Sequence, residues 1–218
     1  MKTRSQKPEA GSQNINSAPL LILISAPSGG GKTTLCQQLL KSRPDMARAI
    51  TCTTRGPRPG EKDGVDYYFF SPADFRRRVA AGEFIEHATV FGRGYGMLKS
   101  ELLDKLRSGR DVLLNVDVQG AATIRGRAHA EPELKRALVS VFLTPPSIAV
   151  LETRLKNRAA DSAAEIQKRL AVARREIAQW NHFDYLLISA SIPEDLRRML
   201  AIVEAEKMRV ARAEAPEF

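Results

Sequence analysis

Residues 20–33 read Leu-Leu-Ile-Leu-Ile-Ser-Ala-Pro-Ser-Gly-Gly-Gly-Lys-Thr. The aliphatic run at the start is typical of a buried strand, and the residues that follow Thr33 have a helical pattern. A glycine-rich turn between a strand and a helix points backbone N–H groups toward the positive end of the helix, where polyphosphates bind. The sequence therefore predicts a phosphate-binding loop at residues 26–33.

The residues of this loop have distinct expected roles. Lys32 would neutralise the β- and γ-phosphates of a nucleoside triphosphate, and the hydroxyl of Thr33 would ligate Mg²⁺. Ala26 stands where the first glycine is usual, but consecutive glycines remain where the backbone must approach phosphate most closely. The predicted nucleotide-binding residues are Ala26, Pro27, Ser28, Gly29, Gly30, Gly31, Lys32 and Thr33.

Composition limits the class of protein. A chain of 218 residues with 43% hydrophobic content can bury one substantial core, which excludes fibrous and largely disordered classes. The net charge of +9 suits a nucleic-acid partner or a pocket for two polyanionic substrates. We find no helix-turn-helix, zinc-finger or aromatic RNA-binding motif in the sequence, so no nucleic-acid partner is expected.

The sequence also predicts a cytoplasmic location. Cys36 and Cys52 lie in apolar segments and resemble small core residues, as expected in a reducing compartment. No apolar stretch approaches the ~20 residues of a membrane span, so no membrane partner is expected. Residues 1–18 lack the apolar centre of a signal peptide, and we expect them to form a disordered tail.

Apolar runs along the rest of the chain predict four more buried strands, at 48–52, 111–116, 138–143 and 184–188. Helical patterns lie between them. This alternation predicts an α/β fold with a doubly wound, five-stranded parallel sheet flanked by helices. Ligands are expected beyond the carboxyl ends of its strands.

Several helix starts have recognisable caps. Ser71 precedes a proline, which indicates an N-cap and first turn. Asp161 or Ser162 is predicted to cap a helix that runs to about residue 180. Ser191 and Glu194 have the spacing of a capping box at the last helix.

Two insertions interrupt the predicted core. Glycines and prolines punctuate short aromatic runs at 51–97, which predicts a strand-rich insertion. Basic side chains around a short turn predict a helical lid at 153–169, although a solvated charged face has the same composition. The predicted divisions are a tail at 1–18, a domain at 19–207 with its core at 19–50, 98–152 and 170–207, and a C-terminal helix end and tail at 208–218.

The first insertion begins with a segment rich in phosphate-binding side chains. Residues 51–61 read Thr-Cys-Thr-Thr-Arg-Gly-Pro-Arg-Pro-Gly-Glu, and Tyr67 follows. Arginine binds phosphate oxygens in a bidentate manner, and a tyrosine hydroxyl adds a rigid donor. We refer to residues 51–61 as the acceptor segment, because they predict a second phosphate site. A merely solvated turn is the alternative interpretation.

From about Leu20 to Lys207 the chain resembles guanylate kinases. The motifs that carry the resemblance are the phosphate-binding loop, Thr-Thr-Arg-Gly-Pro-Arg at 53–58, Asp-Val-Gln-Gly at 117–120 and the arginines of the predicted lid. The resemblance implies the P-loop NTPase fold, with a GMP-binding insertion at 51–97. It also implies ATP, used with Mg²⁺, and GMP or dGMP as substrates.

The resemblance implies roles for individual residues. The side chains that would hold the GMP phosphate are Arg55, Arg58, Tyr67 and Tyr95. Thr51 and Glu86 would bind guanine, whose adjacent N1–H and N2–H can both donate to one carboxylate. The implied GMP-binding residues are Thr51, Arg55, Arg58, Tyr67, Glu86, Tyr95 and Asp117. The implied catalytic residues are Lys32, Arg154, Arg158 and Arg169.

The chain departs from the pattern of the family at four places. Met97 follows Tyr-Gly where a hydroxyl residue is common, and Asn115 stands where an aspartate is common. Ala159 replaces the glycine of the lid turn, and Ser-Ala-Ser at 189–191 replaces an Asn-Asp after the last strand. These departures concern guanine readout, the acidic group near Mg²⁺ and adenine selectivity.

The implied reaction is ATP + GMP → ADP + GDP, a step of purine nucleotide metabolism. The attacking phosphate oxygen is already anionic, so no general base is needed, and catalysis rests on alignment and charge neutralisation. Two alternatives remain open: a P-loop kinase for another phosphorylated acceptor, and a non-enzymatic binding module that uses the GMP pocket. The sequence leaves the choice between monomer and homodimer undecided.

Overall fold

The computed structural model describes residues 17–157 and 162–213. Strands and helices alternate along these residues. The strands are β1 Leu21–Ser25, β2 Ala47–Arg48, β3 Cys52–Thr53, β4 Tyr68–Phe69, β5 Phe84–Val90, β6 Arg93–Leu98, β7 Val112–Asn115, β8 Leu138–Thr144 and β9 Tyr185–Ile188. The helices are α1 Lys32–Ser42, α2 Pro72–Ala80, α3 Lys99–Arg107, α4 Val118–Ala128, α5 Pro132–Ala137, α6 Ile148–Lys156, α7 Ala163–Ile177 and α8 Ile192–Lys207.

The main sheet has five parallel strands in the order β2-β7-β1-β8-β9. In the central strand β1, Leu21 pairs with Val112 on one side and with Leu138 on the other. Every residue of β1 is buried, and burial of each large aliphatic side chain contributes roughly 1.5–3 kcal/mol. The predicted α/β fold with a five-stranded parallel sheet is confirmed.

Helices cover both faces of this sheet. On one face, Leu39 of α1 and Met199 of α8 belong to an apolar cluster with the side chains of β1 and β8. On the other face, Leu102 of α3 and Ile124 of α4 belong to a second cluster. A parallel sheet that is covered on both sides has strands that are apolar throughout, as the sequence shows.

A second sheet, with the order β4-β3-β6-β5, lies in the predicted strand-rich insertion. Phe75 of α2 packs with Cys52 and Phe84 in its small core. The predicted single strand at 48–52 is wrong, because β2 ends at Arg48 and Cys52 already belongs to the second sheet. Between them the backbone N–H of Ile50 donates to the carboxylate of Glu101 rather than to a strand, so the chain leaves the main sheet.

The predicted helix caps form with one exception. Ser71 caps α2, and Ser162 with Glu165 forms a complete capping box at α7. α7 ends at residue 177, and a short 3-10 helix follows at 180–182. At α8 the hydroxyl of Ser191 accepts from the N–H of Glu194 at 3.4 Å. The Glu194 carboxylate, however, binds two arginines of the next turn, so the box is only half formed.

The two ends of the described chain meet. Ser17 forms a β-bridge with Ala213, and the N–H of Ala18 donates to the carbonyl of Arg212 at 3.1 Å. The predicted domain boundaries stay predictions. Across 17–157 and 162–213, every helix is too short or too polar to cross a membrane.

Candidate active site

The phosphate-binding loop connects β1 to α1 at the carboxyl edge of the main sheet. Gly29 and Gly31 have φ values of 85° and 98°, which glycine adopts without strain. A Cβ atom on Gly30 would lie 2.9 Å from the carbonyl oxygen of Pro27, to which the Gly30 N–H donates at 2.8 Å. The backbone geometry of the loop therefore requires all three glycines.

The loop leaves the amino end of α1 open toward solvent. Gly31 is the N-cap residue, and it has no side chain that could accept a hydrogen bond from the first N–H groups of α1. The first N–H groups of a helix lack partners within it, and together with the helix dipole they attract an anion. Ala26 and Pro27 are buried behind this end, whereas Ser28 and Thr33 are exposed. The local arrangement is that of an anion site.

Lys32 lies at the edge of this site. Its Nζ donates a hydrogen bond of 2.5 Å to the carbonyl of Val116, the residue that follows β7 by one position. Burial lowers the pKa of the Lys32 ammonium, and the carboxylates of Asp117 and Glu176 act against that shift. The ammonium is thus poorly hydrated and close to negative charge.

Two carboxylates approach the loop near Lys32. Asp117 caps α4 by accepting from the N–H of Gly120 at 2.7 Å. Glu176, on α7, accepts from the N–H of Ser28 at 3.3 Å, and burial raises the pKa of Glu176. Sequence reasoning missed Glu176, which is 148 residues from Ser28 and was one acid on a charged helix.

Helices α6 and α7, which include parts of the predicted lid, contact the loop. A Cβ atom on Gly29 would lie 2.9 Å from Leu155 Cδ2 of α6. Arg154 Nη1 approaches the carbonyl of Gly30 at 3.5 Å, so this predicted catalytic arginine does lie at the loop. Arg169 is half-buried on α7, and its role stays a prediction. Arg158 lies outside the described residues.

A cavity of about 380 Å³ opens beside the loop. One wall is formed by the loop and the start of α1, and the other by the segment that follows β9. Arg154 of α6 lies between these walls. The residues that line the cavity are Gly29, Gly31, Thr34, Leu35, Arg154, Asn157, Ser189, Ala190, Ile192 and Asp195.

The acceptor segment is organised by one carboxylate. Arg55 Nη2 donates to Glu61 Oε1 at 2.9 Å, and the N–H of Arg58 donates to Glu61 Oε2 at 2.8 Å. The Arg55 guanidinium lies 5.4 Å from the centre of the Tyr67 ring. Hydrogen bonds with Glu61 and, to a smaller extent, with Tyr95 raise the pKa of Arg55. The structure thus gathers the predicted phosphate-binding residues of this segment, and adds Glu61.

Glu86 is placed by a break in strand pairing. The register of β5 against β6 shifts between Phe84 and Glu86, and such a bulge redirects a side chain. A Cβ atom on Gly120 would lie 3.8 Å from Glu86 Cδ, so this carboxylate lies beside the first turn of α4. Burial, and then Asp117, raise the pKa of Glu86. The two predicted acidic residues therefore lie near each other.

A cavity of about 240 Å³ connects the two predicted sites. Thr33 of α1 and Asn115 of β7 line one side, and Thr51 and Tyr67 line the other. Met97, by contrast, is 1% exposed and belongs to the apolar cluster around α3. A hydroxyl at position 97 would leave part of that core unfilled.

Comparison with known proteins agrees with this geometry. The family model described as guanylate kinase matches residues 18–206. The chain belongs to the guanylate kinase family. A guanylate kinase of Maricaulis maris is 40% identical over 193 residues, which cover 88% of this chain and 86% of the relative. That of Coxiella burnetii is 42% identical over 189 residues, covering 87% and 88%.

A solved guanylate kinase supports the same assignment at the level of the fold. The crystal structure of the enzyme from Anaplasma phagocytophilum superposes with a TM-score of 0.67 at 32% identity. The match covers 91% of this chain and 92% of that one. The P-loop kinase fold implied by the sequence resemblance to guanylate kinases is confirmed.

Proposed function

We infer that this chain phosphorylates GMP with ATP to give GDP and ADP. The observation that carries this conclusion is the match of the guanylate kinase family to residues 18–206. The complete loop, with Lys32 and Thr33, argues against a non-enzymatic binding module. Glu86, which lies on β5 of the second sheet beside Gly120, favours an acceptor with a guanine base over an acceptor without a base.

On the donor side, the phosphates of ATP would bind the N–H groups of the phosphate-binding loop and the ammonium of Lys32. The nucleoside would occupy the cavity of about 380 Å³ beside Gly31, with Arg154 near the phosphates. In the transition state, charge spreads over the transferred phosphoryl group. Lys32 and Arg154 would stabilise it without moving far, because both already lie at the loop.

Hard oxygen donors near the loop fit Mg²⁺. The exposed hydroxyl of Thr33 would ligate the ion directly, as the loop motif implies, while the amide of Asn115 and the carboxylate of Asp117 would bind its water shell. When bound, the ion neutralises phosphate charge during transfer. An amide at 115 supplies less charge than a carboxylate, so Asp117 would be the main acidic group.

On the acceptor side, Arg55, Arg58, Tyr67 and Tyr95 would bind the GMP phosphate, and Thr51 and Glu86 would bind guanine. A phosphate oxygen of GMP would attack the γ-phosphorus with no proton transfer. We include dGMP as an acceptor, because these assigned contacts are made to the base and the phosphate. A cytoplasmic location and the lack of nucleic-acid or membrane partners stay predictions.

A coupled assay of ADP release tests the function. Purified protein is supplied with ATP, Mg²⁺ and one acceptor at a time: GMP, dGMP, AMP, UMP or a ribose bisphosphate. GMP should give the highest kcat/KM, because the N1 of adenine is an acceptor that would face Glu86 unpaired. Equal rates with GMP and AMP, or turnover with the ribose bisphosphate alone, would contradict the proposal.

A further inference from the structure

The turn after β9 encloses a carboxylate to which the proposed reaction gives no role. Asp195 lies in the first turn of α8 and is 7% exposed. Its Oδ2 accepts a hydrogen bond of 2.7 Å from the hydroxyl of Ser189, and its Oδ1 accepts one of 2.9 Å from the N–H of Ala190. Both carboxylate oxygens are therefore paired with residues that line the cavity beside the loop.

Ser189 connects this carboxylate to the lid arginine. A serine hydroxyl has one proton, so donation to Asp195 leaves only its lone pairs for other partners. Arg154 Nη2 donates to this oxygen at 3.2 Å, while Nη1 approaches the carbonyl of Gly30 at 3.5 Å. The guanidinium is thus held between the turn after β9 and the phosphate-binding loop.

We propose that Asp195 is a positioning residue that holds Arg154 at the phosphate-binding loop through the hydroxyl of Ser189. The proposal rests on the proposed phosphotransfer function. Without Asp195 the Ser189 hydroxyl could rotate and turn its proton toward the guanidinium, which offers only donors. A long arginine side chain would then regain rotamer freedom that must be lost again in each catalytic cycle.

The proposal also accounts for a departure from the family pattern. Ser-Ala-Ser at 189–191 stands where an Asn-Asp is common, and this stretch has no acid. The carboxylate that contacts this turn comes instead from Asp195 on α8.

Three single variants test the arrangement. Ser189→Ala should lower kcat/KM for ATP about tenfold, the lower end of the range for a hydrogen bond to a charged group. Asp195→Asn should lower it by a similar factor, with the KM for GMP unchanged. Tyr185→Phe is the control, because it removes a hydrogen bond from β9 to Glu206 of the same helix without touching Arg154. It should lower the melting temperature and leave kcat/KM unchanged.

A double-mutant cycle separates positioning from a general structural effect. In an Arg154→Ala background, Ser189→Ala should cause no further loss of kcat/KM, because the group that it positions is gone. The proposal is overturned if the two losses multiply, or if Ser189→Ala leaves the wild-type rate unchanged. An equal loss in Tyr185→Phe would overturn it as well. Ser189→Ala keeps the Asp195 contact with Ala190, so the cycle does not depend on the folding of Asp195→Asn.

Measuring the same cycle by ADP titration distinguishes failure of the proposed function from failure of the positioning role. If wild-type protein does not phosphorylate GMP, the proposed function fails. Coupling between Ser189 and Arg154 in ADP affinity would still support the positioning role, and additivity in ADP affinity would contradict it.

Discussion

The phosphate-binding loop and the acceptor segment are both predicted to bind phosphate, but they are built differently. The loop follows the fully buried strand β1 and offers backbone N–H groups whose positions three glycines fix. The acceptor segment begins on the second sheet and offers the long side chains of Arg55 and Arg58. Glu61 binds the guanidinium of Arg55 and the backbone N–H of Arg58. The donor site therefore depends on backbone geometry, and the acceptor site on side-chain identity.

The largest effect is expected at Lys32, a side chain of the predicted donor site. Lys32→Ala should lower kcat at least a hundredfold, because removal of one transition-state contact costs on the order of 3 kcal/mol. The melting temperature should change little, since Lys32 is only half-buried and makes its hydrogen bond to a carbonyl at the cleft. Single-turnover rates and thermal melts provide the measurement.

Lys41→Ala is a matched control, because Lys41 is exposed in the last turn of the same helix. It should have wild-type turnover. If Lys32→Ala retains more than about a tenth of the wild-type rate, its loss is too small for a transition-state contact and Lys32 is not catalytic.

The next effect tests whether the acceptor segment serves GMP alone. Arg58→Ala should weaken GMP about ten- to a hundredfold, because a charged hydrogen bond to phosphate is lost. Tyr67→Phe removes a neutral donor and should weaken GMP about two- to tenfold. Separate titrations with GMP and a non-hydrolysable ATP analogue decide the matter. Equal weakening of both ligands would show that the segment is not specific to the acceptor.

A pair of glycine substitutions tests the backbone side of the comparison. In the loop, Gly30→Ala should destabilise the fold by about 1–3 kcal/mol, because the new methyl group would lie 2.9 Å from a backbone oxygen. In the acceptor segment, a Cβ atom on Gly56 would have no neighbour within 4 Å. Gly56→Ala should leave the free energy of unfolding within about 0.5 kcal/mol. Denaturant titration measures both, and equal losses would refute the contrast.

The smallest effect is a shift in pH dependence. Burial lowers the pKa of Lys32, so its ammonium loses its proton at a lower pH than an ordinary lysine. The kcat/KM for ATP, which reports the free enzyme, should fall on the alkaline side below the usual lysine range. Lys32→Arg should remove this alkaline limb, because a guanidinium stays charged. If the kcat/KM of the wild-type protein falls only at the ordinary lysine pKa, the prediction is contradicted.

Neighbouring residues were sufficient to predict the strand–loop–helix order around residues 26–33 and the starts of α2, α7 and α8. A buried strand, consecutive glycines and a helix follow one another along the chain, and the cap at Ser162 involves a residue three positions away. The second phosphate site was predicted in the same way, because its two arginines and its tyrosine lie close together in sequence. Such features depend on backbone propensity and short-range hydrogen bonds.

Contacts between residues that are far apart in the sequence could not be predicted from local sequence patterns. Glu176 meets Ser28 across 148 residues, and Arg154 meets Ser189 across 35. The redirection of Glu86 needs the bulge between β5 and β6, and the break after Arg48 needs a carboxylate from α3. These arrangements arise when helices pack against the sheets and bring buried polar groups within hydrogen-bonding distance. Local sequence thus specified the elements and the phosphate chemistry, while long-range packing selected which carboxylates reach them.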